Sequence, residues 1–121
     1  EAEVDLIVTQ PKGYELDKRF VKEIPVEYNQ EKAFDGADFI YAKNWSPLVP
    51  YGTVKCEDES WMITGEKMAL TRQAKFMHCL PVRRNVVVAD EVLDSPNSLV
   101  IEQANNRIFA AQAVLKEILK N

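Results

Sequence analysis

Two apolar runs, "ADFIYAK" and "AKFMHCL", limit the possible folds more than any other feature of the chain. Short, nearly continuous apolar stretches of this kind read as strands of a parallel sheet buried on both faces. A third run, "EVDLIVTQP", closed by Pro11, reads the same way. Helix-forming segments separate them. "YELDKRFVKE" carries Leu16, Phe20 and Val21 at helical spacing, with Asp17 near its front and Lys22 near its back. "PVEYN" reads as a short edge strand, and "QEKAFDG" as a short helix ended by Gly36. Strands alternating with short helices predict an α/β fold, an open, mainly parallel sheet with flanking helices. Right-handed crossovers would bring the carboxyl end of every strand to one edge of that sheet.

Residues 44–64 break the alternation with two prolines, a glycine and two tryptophans, and a loop of this length in a small domain is usually functional. After it, "GEKMALTRQ" predicts a helix and "ADEVLDSP" a short helix or turn, with "NSLVIE" extended after that. The last segment, "ANNRIFAAQAVLKEILKN", predicts a helix over about 103–120, capped by Asn105 or Asn106. Its stripe runs through Ile108, Ala111, Leu115, Ile118 and Leu119, and Lys116 and Lys120 sit near its end.

Composition removes several classes of function. With 15 Lys and Arg against 19 Asp and Glu, the net charge of −4 offers no basic field for a nucleic acid. No apolar stretch approaches the roughly 20 residues that span a bilayer, so no membrane role and a cytoplasmic location are expected. Cys56 and Cys79 are expected to stay reduced, and one histidine with two distant cysteines gives no metal-ligand spacing, so neither metal nor cofactor is expected. The chain opens on "EAEVDLIV" without a methionine, and a piece of a longer protein is expected.

The sheet-edge rule ranks the polar residues, because ligands of open parallel sheets bind beyond the carboxyl ends of the strands. Lys43 follows one predicted strand, and "HCLPVRR" follows another. Convergent cations there would suit an anionic ligand, although Lys43 also fits a solvated strand end. Pro81 lacks an N–H and is expected to hold Leu80 extended, so that the Cys79 and Leu80 carbonyls face outward as acceptors. Arg83 and Arg84 add planar donor forks for carboxylate or phosphate; a buried strand followed by two surface arginines is the alternative. His78 and Cys79, being adjacent in a strand, point to opposite faces and cannot form a thiolate–imidazole pair. Arg107 falls in the first turn of the predicted last helix, where the dipole disfavours a cation unless an anion binds there; a salt bridge to Glu102 is the other reading.

With these residues marked, the chain resembles the C-terminal part of a transcarbamylase, and within that superfamily the N-acylornithine carbamoyltransferases, nearest the N-succinylornithine type. The resemblance runs through "GYELD", "GADFIYAKNW", "KMALT", "FMHCLPVRRN", "SPNSLVIEQANNR" and the last helix. "HCLP" alone indicates the superfamily, whereas "YAKNW" with "HCLPVRRN" is specific. Plain ornithine enzymes carry a serine-methionine-glycine element where this chain has "KNWSPL", which argues against unmodified ornithine.

The resemblance implies a Rossmann-like domain, with residues 1–121 forming the C-terminal part of an acylornithine-binding domain. It implies transfer of a carbamoyl group from carbamoyl phosphate to the side-chain amine of N-succinyl- or N-acetyl-L-ornithine, on a route to arginine, by a homotrimer using no metal or cofactor. Lys43 and Arg83 would hold the acylornithine carboxylates. Cys79 and Leu80 would orient the carbamoyl group and the incoming amine, and Arg107 would contact carbamoyl phosphate. In the family an N-terminal domain supplies further phosphate ligands, so the 121-residue chain alone is expected to be inactive; the alternative is a non-catalytic anion-binding or interaction module. The family's loop after Lys43 is threaded by an upstream segment, and here it is expected to be unthreaded. The last helix, which in the family crosses to the N-terminal domain, is expected to be displaced or buried against another copy.

Overall fold

The computed structural model describes residues 3–44 and 58–120. Elements follow in the order β1 (Val8–Thr9), α1 (Lys18–Val21), β2 (Val26–Glu27), α2 (Gln30–Phe34), β3 (Phe39–Ala42), a 3-10 turn (Glu59–Trp61), α3 (Gly65–Ala69), β4 (Lys75–His78), α4 (Asp90–Leu93) and α5 (Val100–Ile118). All strand pairing among the described residues is parallel. Both paired sheets are two-stranded, β1 with β2 and β3 with β4, and the single parallel bridges Ile63–Val88 and Phe76–Ser98 extend the pattern.

Local signals in the sequence explain most of these elements. The Asn29 side chain accepts the Lys32 N–H and caps α2, which stops at Gly36 in a left-handed conformation (φ +69°). Thr64 caps α3 in the same manner, accepting the Lys67 N–H. Between β4 and α5, Phe76 donates to the Asn97 carbonyl and accepts from the Leu99 N–H, so of "NSLVIE" only Ser98 makes a strand-like bridge, and helix begins at Val100.

Strands β3 and β4 run in register, Phe39 beside Lys75, Ile40 beside Phe76, Tyr41 beside Met77 and Ala42 beside His78. Their buried face, Ile40, Ala42, Phe76 and His78, meets Phe34 of α2, Ile63, Ala74, Val87, Val88, Val92 and Leu93 of α4, and Val100 of α5 in one core. The reading of these strands as covered on both faces needs correction. Phe39 and Tyr41, which alternate with Ile40 and Ala42, are 64% and 59% exposed, because the core elements all gather on the Ile40–Phe76 side.

The other apolar stripes are corrected likewise. Val4, Leu6 and Ile7 of "EVDLIVTQP" are exposed, and only Val8 and Thr9 pair as a strand. Helix α1 has four residues, one turn, and buries none of them; Leu16 and Phe20 remain exposed. The last helix starts at Val100, earlier than an Asn105 or Asn106 cap would allow, because the backbone passes from the Phe76 pairing straight into helix, with no side-chain cap. From Asn105 to Lys120 every residue is exposed, including Ile108, Phe109, Leu115 and Ile118. Among the described residues no other element covers this part of the helix.

Phe76, fully buried at the centre of β4, is among the largest packed side chains, whereas Phe39 contributes little from the open face. Phe76→Ala should cost about 3 to 5 kcal/mol in urea unfolding of the chain, and Phe39→Ala less than about 1 kcal/mol. Equal losses would contradict this assignment of the core.

Candidate active site at the carboxyl edge of the strands

The Ala42–His78 pairing ends β3 and β4 at the same level, so the next residues, Lys43 and Cys79, leave the sheet side by side. A side-chain bond ties the two exits together: the Asn44 Nδ2 donates to the Pro81 carbonyl at 2.8 Å. Lys43 is exposed, and among the described residues no carboxylate pairs with it. Cys79 is an exposed free thiol, while His78 is only 1% exposed, so the two point to opposite sides as strand alternation requires. Cys56 and the possible threading of the loop fall outside the described residues.

His78 organises the turn that follows. Its Nδ1 accepts the Leu80 N–H at 3.0 Å, which places the ring proton of the neutral imidazole on Nε2. Nε2 is buried and without a partner among the described residues. Burial disfavours the charged ring and lowers its pKa below the ordinary 6.5. The extended geometry expected of Leu80 is replaced by a left-handed one (φ +48°) before a cis Leu80–Pro81 bond. The extended bias ahead of proline is outweighed here by the hydrogen bond from the Leu80 N–H to His78 Nδ1 and by the tie of the Pro81 carbonyl to Asn44.

The paired arginines separate into two roles. Arg84 Nη1 donates to Asp90 Oδ1 at 2.6 Å and to Asp94 Oδ2 at 2.8 Å, while Nη2 donates to Asp94 Oδ1 at 2.6 Å. Asn85, at φ +55°, locks the same corner by donating to Asp90 Oδ2 and accepting the Asp90 N–H. These bonds hold the Asp90 and Asp94 carboxyls below the usual carboxylate range and leave Arg84 occupied. Arg83 is half-buried, and its Nη1 is buried with no partner among the described residues. Unlike Arg84, Arg83 forms no ion pair with a carboxylate among the described residues.

Arg107 requires correction. Helix α5 begins at Val100, so Arg107 sits about 10 Å further along the axis rather than in the first turn, beyond the reach of the helix-terminus field. It is exposed, and no ion pair with Glu102 forms among the described residues. The structure thus brings Lys43, Cys79, Leu80 and the Arg83 segment to one edge, with Arg107 set apart on the projecting helix.

Of the long loop, residues 45–57 fall outside the described residues, and its far end is anchored by Lys67. The Lys67 ammonium donates to Gln30 Oε1 at 2.6 Å, to the Met62 carbonyl at 2.9 Å and to the Ser60 carbonyl. Desolvation lowers the Lys67 pKa. Sequence reading passed over this lysine, since a mid-helix lysine normally marks a solvated face. Asn44 was also passed over, though it lies inside "AKNW". Among the described residues no group of three or more His, Cys, Asp or Glu is placed to hold a metal ion, and no helix is long and apolar enough to cross a membrane.

The parallel pairing and the edge match a known family. The chain belongs to the aspartate/ornithine carbamoyltransferases, whose Asp/Orn binding domain matches residues 1–118. It is 51% identical over 119 residues to the N-succinylornithine carbamoyltransferase of Bacteroides fragilis (strain 638R), covering 97% of this chain and 37% of that protein. Similarity to the N-acetylornithine carbamoyltransferase of Xanthomonas campestris pv. campestris is lower, 32% over 134 residues, covering 97% of this chain and 39% of that protein. Acetylornithine transcarbamylase complexed with acetylcitrulline superposes with a TM-score of 0.81 at 34% identity, covering 92% of this chain and 39% of that one. A mutant of N-acetyl-L-ornithine transcarbamylase complexed with carbamyl phosphate and N-succinyl-L-norvaline gives the same TM-score. The chain thus spans little more than a third of these relatives.

A lowered His78 pKa means that the unfolded chain binds the proton more readily than the folded one. The stability contributed by neutral His78 is therefore fully present above pH 6.5 and is lost as pH falls through its lower folded value. Urea unfolding at pH 7.5 and 5 should show the wild-type chain losing stability relative to His78→Asn as the pH drops. A difference independent of pH would contradict the buried neutral ring.

Proposed function

We propose that this chain forms part of the acylornithine-binding domain of a carbamoyltransferase, and that the intact enzyme transfers the carbamoyl group of carbamoyl phosphate to the side-chain amine of N-succinyl-L-ornithine. The observation that carries this reading is the 51% identity to an N-succinylornithine carbamoyltransferase over nearly the whole chain, against 32% to an N-acetylornithine enzyme. The edge geometry supports it: Lys43 and the Arg83 segment leave the sheet at the same edge, tied by the Asn44–Pro81 hydrogen bond, and neither cation meets a carboxylate among the described residues.

In the reaction the neutral amine attacks the carbonyl carbon of carbamoyl phosphate, a C–N bond forms, and the C–O bond to phosphate breaks with its electron pair leaving on phosphate. The attacking nitrogen loses a proton, which the departing phosphate takes up. Rate then comes from holding amine and carbonyl in line and from stabilising charge on the departing phosphate. Lys43 and Arg83 fix the acylornithine. The Cys79 and Leu80 backbone orients the carbamoyl NH2 and the amine, and Arg107 contacts carbamoyl phosphate. The proposal extends to the whole protein: a cytoplasmic homotrimer serving arginine biosynthesis, in which α5 packs on an N-terminal carbamoyl-phosphate domain. In that domain lie the further phosphate ligands, so the 121-residue chain alone is inactive.

Citrulline-group formation by the intact enzyme tests this directly. N-succinyl-L-ornithine should be preferred over N-acetyl-L-ornithine and ornithine. Arg83→Gln should raise the KM for it by roughly 10- to 100-fold, the value of a charged hydrogen bond, while Arg84→Gln should change it less than about threefold. Preference for free ornithine, or equal damage from the two arginine variants, would overturn the reading.

A further inference from the structure

His78 is the only histidine of the chain, is 1% exposed, and has a buried Nε2 that meets no partner among the described residues. An apolar residue would fill this strand end without leaving a buried donor unsatisfied. What the imidazole adds is an acceptor: Nδ1 takes the Leu80 N–H at 3.0 Å. Leu80 needs it, because its backbone is left-handed at φ +48°, a conformation that a side chain with a Cβ adopts only against steric resistance. The opposite end of the turn is held by Asn44, whose Nδ2 donates to the Pro81 carbonyl at 2.8 Å. Between these two anchors lie the Cys79 and Leu80 carbonyls, and no turn or loop N–H among the described residues donates to either.

We infer that His78 is a positioning residue: its Nδ1 fixes the left-handed Leu80 and so sets the direction in which the Cys79 and Leu80 carbonyls face the carbamoyl group and the attacking amine. The inference rests on the proposed carbamoyl transfer for its purpose, but on the hydrogen bond for its geometry. His78 does not touch the reacting atoms and moves no proton. Its role requires a neutral ring with the proton on Nε2, since a proton on Nδ1 would face the Leu80 N–H donor to donor.

Two measurements test this, one without turnover. Because the chain has a single histidine, ¹⁵N NMR of the labelled 121-residue protein at pH 7.5 reports its ring alone, and should show the Nε2–H tautomer with an unprotonated Nδ1. In the intact enzyme, His78→Asn places an amide oxygen where Nδ1 stands, His78→Gln sets its amide one bond further out, and His78→Leu offers no acceptor. His78→Asn should keep kcat within about tenfold of wild type, whereas His78→Gln and His78→Leu should lose about 100-fold, the scale of a misplacement near 1 Å. The loss should fall on kcat more than on the KM for the acylornithine, which Lys43 and Arg83 hold. Melting temperatures of the three variants separate misfolding from mispositioning. An Nδ1–H ring, or Leu, Gln and Asn variants of equal activity, would overturn the inference. Absence of transfer by the wild-type enzyme would instead contradict the proposed reaction, and the ring spectrum would still decide the geometry.

Discussion

The parallel pairing of Phe39–Ala42 with Lys75–His78 is the constraint on which the rest depends. In register, two four-residue strands end together, and only then do Lys43 and Cys79 emerge as neighbours. A slip by one residue would send Phe76 to the open face and bring Lys75 or Met77 inward, replacing a core phenylalanine with a charged or a flexible side chain. The buried ring of Phe76 is therefore what holds the site's two halves at one level. Antiparallel pairing of the same strands would put the residues after their ends on opposite edges.

Beyond that edge, the chain sorts its polar groups by what each has left to give. Arg84 spends its donors on Asp90 and Asp94, and Lys67 spends its own on Gln30 and two carbonyls. Both hold loops in place. Arg83 and His78 each keep a buried nitrogen without a partner, and Asn44 a buried oxygen. These three belong to the segments that meet at the Leu80 turn, whose backbone is left-handed; Thr9, Ser98 and Gln103 elsewhere in the fold also carry buried oxygens without partners among the described residues.

Element types and order were legible because they rest on local signals: Asn29 and Thr64 as caps, Gly36 as a stop, and apolar runs for β3 and β4. Cover was not legible. The pattern of "ADFIYAK" gives the same reading whether one face or two are packed, and Phe39, Tyr41 and the α5 stripe stay open because cover depends on residues distant in sequence or absent from the chain. The start of α5 was misread for a related reason, since pairing with Phe76 overrides the capping tendency of Asn105 and Asn106. At the site, position after a strand was enough to mark Lys43, Cys79 and Leu80. Distinguishing Arg83 from Arg84 needed Asp90 and Asp94, which only the fold brings near. The extended bias ahead of proline also failed at Leu80, where the bond of its N–H to His78 Nδ1 and the distant tie of the Pro81 carbonyl to Asn44 outweigh it.

In the proposed enzyme, one edge, formed by the ends of two parallel strands, receives the substrate. A crystal structure of the intact protein soaked with carbamoyl phosphate and N-succinyl-L-norvaline addresses it most directly, since the latter lacks the reactive amine and cannot turn over. The acyl amino acid should lie with its carboxylates against Lys43 and Arg83 and its side chain directed at the Cys79–Leu80 carbonyls, with Arg84 still held by Asp90 and Asp94. Ligand bound away from this edge, or held by Arg84 in place of Arg83, would contradict it.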